Sequence, residues 1–220
     1  MRLIAERMLP ADNSDNAQFG AAHPAPLVYM QIEEGNQRVS IEKPREDARY
    51  HIYCSEHNAG ATDLMAEVAR SQGWNLMSVA RSSNPSKDKK DTLIVCDKSE
   101  GLTSCEHMAI YLNARTWSDG EASQRFAEDV RQATARGIPL KLFHESPGIG
   151  QQDERHPCEF AEFFASARGS TPRDLLQLGI YDTVAVPLKG GDWRNASMTL
   201  AAKSLAESRR LSTRVSKYRL

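Results

Sequence analysis

Apolar positions recur along this chain in two rhythms, short continuous runs of four to six and a helical spacing of three and four, and the two alternate from residue 50 onward. Residues 50–54 form a β-prone run. Residues 62–72 follow with Leu64, Met65, Val68 and Ala69 on one helical face and Gly73 as a stop. Residues 75–79 and 93–96 are two further strand candidates separated by a Ser, Asn, Lys and Asp-rich loop over 81–91, and either could join the main sheet. Residues 108–112 predict a compact buried strand, and 120–136 a long helix that turns Phe126, Ala127, Val130, Ala133 and Thr134 inward before Gly137. A strand over 138–143, a polar loop over 147–155, helical turns around 160–164 and 172–178, a last strand over 183–188 and a last helix over 196–206 complete the series. Strands that alternate with helices of this length predict an α/β fold, an open parallel sheet of about five strands covered on both faces.

The N-terminal stretch breaks the rhythm. Residues 10–26 are rich in Asn, Asp, Ala, Gly and Pro and read as an arm, and two alternating runs at 27–33 and 37–42 around Glu34-Gly35-Asn36 read as a small β-hairpin. The expected organisation is an arm with a hairpin over 1–46, an α/β domain over 47–207 and a basic tail over 208–220 that extends the last helix, or less readily forms a local contact for acidic partners.

Composition narrows the function classes. Twenty-eight Lys and Arg against 29 Asp and Glu leave a net charge of −1, so no global field recruits nucleic acid. Apolar runs fall far short of the roughly 20 residues of a membrane span and no apolar signal core opens the chain, so a cytoplasmic protein without a membrane span is expected. The four cysteines form no CxxC pair, which suits a reducing compartment, and no metal site is expected. The run His51 to His57 brings histidine and cysteine together in sequence, but strand alternation sends His51 and Cys54 to opposite faces.

In an open parallel sheet the ligand crevice lies beyond the carboxyl ends of the strands. The residues at those ends are Glu56 and His57 after the first strand, Asn113 to Trp117 after the third, His144 and Glu145 after the fourth, and Lys189, Gly190 and Gly191 after the last. The Lys-Gly-Gly run leads into a helix, and its glycines would let backbone N–H groups approach an anion. Ordinary helix capping by polar loop residues accounts for such a rim equally well. Glu128 and Asp129 on the long helix are a solvated acidic pair, or one of them faces the crevice and stabilises cationic charge at an anomeric carbon.

The stretch Leu102-Thr103-Ser104-Cys105-Glu106-His107-Met108-Ala109-Ile110-Tyr111-Leu112-Asn113-Ala114-Arg115-Thr116-Trp117, continued by Phe126 to Phe143, resembles the middle of a Toll/interleukin-1 receptor (TIR) domain. At the level of pattern the likeness covers roughly residues 50–206. Response-regulator receivers and nucleoside deoxyribosyltransferases share the flavodoxin-like rhythm, but a receiver's phosphorylatable Asp is replaced here by Asn113. The resemblance implies a flavodoxin- or TIR-like three-layer sandwich that works as an intracellular signalling module through self-association or contact with other TIR-like domains, with the 81–91 loop and its Lys89 and Lys90 as the assembly segment. It also implies an alternative, hydrolysis of NAD or another nucleotide N-glycoside, without a required cofactor. The family's helix glutamate is then replaced by Asp129, one methylene shorter, with Glu128 beside it; Glu56, His57, Asn113 and Trp117 would line the crevice, and Lys189 to Gly191 would contact phosphate. A nucleotide-binding sensor without turnover is the third reading.

Overall fold

The computed structural model describes residues 38–78, 91–148, 150, 152–164 and 170–215, with side chains described to Ala206. Six parallel strands form one open sheet: β1 (Tyr50–Tyr53), β2 (Asn75–Ser78), β3 (Thr92–Cys96), β4 (Cys105–Leu112), β5 (Leu140–Glu145) and β6 (Val186–Leu188), in the spatial order β2-β3-β1-β4-β5-β6. Both candidate strands over 75–79 and 93–96 join this sheet, which raises the expected five strands to six.

The helices are α1 (Ala61–Gln72), α2 (Gly120–Ala135), α3 (Arg173–Gln177) and α4 (Arg194–Val215). β4 explains the three layers: all eight of its residues are buried, as a strand covered on both faces requires. On one face Ile52, Leu93, Ala109, Tyr111 and Phe143 pack against α1 and α4. On the other, Tyr53, Met108, Ile110, Leu112 and Leu142 pack with Phe126, Ala127, Val130 and Ala133 of α2 and Leu175 of α3. In α1 the buried set Ala61, Leu64, Met65, Val68, Ala69 and Gln72 follows the helical period, and each large apolar member contributes about 1.5–3 kcal/mol by leaving water. Gly73 ends that helix in the left-handed conformation at φ +71°, its N–H reaching the carbonyls of Ala69 and Arg70.

Several boundaries differ from the sequence expectation. β4 starts three residues early at Cys105, β6 starts only at Val186, and α4 starts two residues early at Arg194; α4 runs as far as Val215, the expected extension of the last helix into the basic tail. The second arm of the expected hairpin forms no strand over residues 38–42, and the first arm lies outside the described residues. Residues 38–42 instead dock on the α/β body: Ile41 is buried in its core, Trp74 Nε1 donates to the Val39 carbonyl at 2.7 Å, and the Ile41 N–H donates to Asp91 Oδ1 at 3.2 Å. The chain accordingly divides between Gln37 and Arg38. No described helix is long and apolar enough to cross a membrane.

The strand order places a switch point between β1 and β4. The chain leaves β1 for β2 and β3 on one side and then crosses to β4, β5 and β6 on the other. Loops after β1 and β4 therefore diverge and leave an opening at the carboxyl edge.

Candidate functional site

Local chemistry shapes the opening. β1 ends at Tyr53, and the side chain of Asn58 takes over its pairing with β4: Nδ2 donates to the Tyr111 carbonyl at 2.9 Å and Oδ1 accepts the Tyr111 N–H at 2.8 Å. Gly60 then starts α1 at φ +86°, where a Cβ would stand 2.8 Å from Tyr111 Cε1. A glycine is needed there twice over, for its backbone angle and for the closeness of the ring. After β4, Thr116 Oγ1 accepts the Asn113 N–H, Asn113 Oδ1 accepts the Arg115 N–H, and Ala114 N–H reaches the His156 carbonyl, so the turn is fixed from both sides.

Between these elements lies a cleft of about 460 Å³. Its walls carry Gly60, Asp63, Glu67 and Arg70 of α1, Tyr111, Asn113 and Arg115 at the end of β4, Arg155 and His156 from the loop after β5, and Arg194 at the start of α4. Glu67 is gripped by two guanidinium groups. Arg194 donates to both of its oxygens at 2.8 Å, and Arg155 donates to them at 2.8 and 3.3 Å. The third nitrogen of Arg194 donates at 2.8 Å to Glu145, the fully buried last residue of β5, and Glu145 also accepts the Tyr111 hydroxyl at 2.9 Å. Burial, reinforced by the Glu145 charge, pushes the Tyr111 phenol far above its usual range, so it stays protonated as a donor. Five side chains from four elements and the loop after β5 are thus one network, and deleting one partner of such a buried charge pair typically costs about 3–5 kcal/mol. Arg70 and Arg115 complete the cationic rim. Arg70 is exposed and makes no ion pair among the described residues, whereas Arg115 pairs with Asp119 at 2.6 Å.

The residues singled out from sequence scatter about this cleft. Asn113 lines it. Glu56 is exposed and His57 half-buried, its N–H on Ser55 Oγ, and neither lines the cleft. Trp117 is buried, stacked on Phe126 at 5.1 Å with Nε1 donating to the Tyr181 hydroxyl. Glu128 is exposed and pairs with Arg131 at 3.4 Å. Asp129 is buried on α2, against the sheet face opposite α1, and accepts hydrogen bonds from Ser55 Oγ at 2.6 Å and Tyr53 Oη at 3.0 Å. Neither helix carboxylate is a lining residue. Lys189 is exposed, and the Gly191 N–H is already spent on the Gly150 carbonyl at 3.0 Å. Of the 81–91 loop, all but Asp91 lies outside the described residues.

No family model, curated protein or solved structure matches this chain.

Among the described residues no group of three or more His, Cys, Asp or Glu is placed to hold a metal ion. All four cysteines are buried and free. The residues that sequence reasoning passed over are Glu67, Arg155 and Arg194. Glu67 reads as the polar face of an amphipathic helix, and its partners lie 88 and 127 positions away. One signal was available: Glu145 is an acidic residue at the carboxyl end of an apolar strand, where burial demands a cationic partner.

Proposed function

We propose that this chain is a cytoplasmic, TIR-like signalling module whose cleft binds a nucleotide without cleaving it. The observation that carries this reading is the cleft at the β1/β4 switch point, where open α/β sheets take their ligands, bordered by four arginines and an amide. Its volume of about 460 Å³ is in the range of sites for ligands of nucleotide size. The arginines supply charge that attracts phosphate, with Arg70 and Arg115 at the rim, and Asn113 and Asp63 supply polar groups for a sugar or base. Binding is favoured over N-glycoside cleavage because Glu128 and Asp129, the carboxylates that cleavage would use, are engaged outside the cleft. Signalling through self-association is the output the TIR likeness suggests.

Isothermal titration with ATP, ADP, NAD and adenosine, paired with chromatography for released nicotinamide, tests the reading. Phosphate-bearing ligands should bind in the micromolar range, and Arg70→Ala should weaken them about 3-fold to 10-fold while sparing adenosine. Absence of binding at millimolar ligand would sink the proposal. Nicotinamide release that disappears in Asp129→Ala would replace it with the hydrolase reading.

A further inference from the structure

Glu67 is a carboxylate in the middle of α1 that faces an open cleft, yet four N–O contacts of 2.8 to 3.3 Å from two arginines converge on it. Two guanidinium forks around one planar anion is the arrangement by which proteins hold phosphate or carboxylate ligands. The two arginines differ in how firmly they are placed. Arg194 is 14 % exposed and anchored from behind by the buried Glu145, so it keeps its position whatever Glu67 does. Arg155 is 25 % exposed, its remaining side-chain contact is Gln152 three residues back, and it comes from the loop after β5.

We infer that Glu67 is a built-in stand-in for the anionic group of the ligand: in the empty cleft it occupies Arg155 and Arg194, and a phosphate group displaces it from them. This rests on the nucleotide reading above and adds to it the pair of arginines that select the phosphate and the internal carboxylate that competes with it. Charge supports the exchange. Glu67, Arg155, Arg194 and Glu145 together are neutral, so no positive field is wasted in the empty state; once Glu67 is released toward Arg70, one helical turn along the same cleft wall, the guanidinium charges of Arg155 and Arg194 face the incoming anion. A ligand without an anionic group gains nothing from the displacement and is discriminated against.

The test is titration of wild type, Glu67→Gln and Arg155→Gln with ADP, inorganic pyrophosphate and adenosine at one fixed ionic strength, with melting temperatures in parallel. Removing the internal competitor should tighten ADP and pyrophosphate about tenfold in Glu67→Gln and leave adenosine unchanged, while Arg155→Gln should weaken the two anions. Ligand-free Glu67→Gln should melt lower than wild type, because two arginines lose their partner, and pyrophosphate should raise its melting temperature more than it raises that of the wild type. If ADP binds wild type but Glu67→Gln binds it no tighter, the stand-in role is refuted while the nucleotide reading survives. If neither protein binds any of the three ligands, both fall. If Glu67→Gln merely melts lower, with no gain in anion affinity, Glu67 is a structural brace and the inference is overturned.

Discussion

His107 on β4 shows how a single side chain can tie stability to pH. It is buried, its Nδ1 has no hydrogen-bond partner among the described residues, and it lies near Lys141, Arg45 and His51. Burial, helped by the charges of Lys141 and Arg45, holds its pKa down at about 4. The unfolded chain takes up the proton near pH 6.5 and the folded chain only near pH 4, so the unfolded state binds more protons between these values. The contribution of neutral His107 is therefore complete above pH 6.5, declines as pH falls, and is lost by about pH 4. Its full size is on the order of 3 kcal/mol. Urea unfolding from pH 7 to pH 4 should show a flatter profile for His107→Gln than for wild type, and superimposable profiles would assign the acid sensitivity to other groups. His51 is locked differently: its Nδ1 accepts the Ile94 N–H at 2.9 Å, which makes Nε2 the protonated nitrogen that donates to the Glu42 carbonyl at 2.7 Å. Tyr53 stays a phenol because burial and then Asp129 both oppose its ionisation, so it is a permanent donor to that carboxylate.

At the scale of elements, the β1–α1 connection decides whether the cleft exists. Gly60→Ala places a methyl group against the Tyr111 ring at a backbone angle that L residues rarely adopt, and it should cost about 1–3 kcal/mol in urea unfolding. Since Tyr111 both walls the cleft and donates to Glu145, nucleotide affinity should fall together with stability. A variant of unchanged stability and affinity would show that the ring moves aside freely. The same connection shows what was legible in the sequence. The apolar period of α1 and its Gly73 stop are local signals, as is the run over 108–112 that marks a strand buried on both faces, and these placed the elements and their class. The role of Asn58 as a two-bond substitute for strand pairing was not legible, because it depends on where β1 stops relative to β4. The arm over 37–42 alternates like a strand, but Ile41 is held by burial in the core and by Asp91 rather than by a ladder. Asp129 was noticed as a carboxylate, yet its partners Tyr53 and Ser55 lie 76 and 74 positions earlier and settle its engagement.

At the scale of the whole molecule, the open sheet carries both the cleft and two edge strands. A parallel sheet that does not close leaves two edges, β2 and β6, and among the described residues no strand pairs with the outer edge of β2, where Leu76 is 39 % exposed. The β2 edge stands two strands from the switch point, since β3 alone separates β2 from β1. Self-association through that edge would extend the hydrogen-bonded ladder between copies and cover Leu76, which makes it the route by which the proposed assembly is tested. The expected result is concentration-dependent association in sedimentation velocity, strengthened by ADP and abolished in Leu76→Lys, whose charge guards the edge without touching the core. Because linkage is reciprocal, a ligand that promotes assembly must itself bind more tightly as protein concentration rises. Titrations at two protein concentrations therefore separate the cases: a shift of affinity with concentration in wild type that is absent in Leu76→Lys ties the cleft to the edge, whereas a wild type that stays monomeric with and without ADP removes assembly through β2 and leaves the cleft as a sensor with a different output.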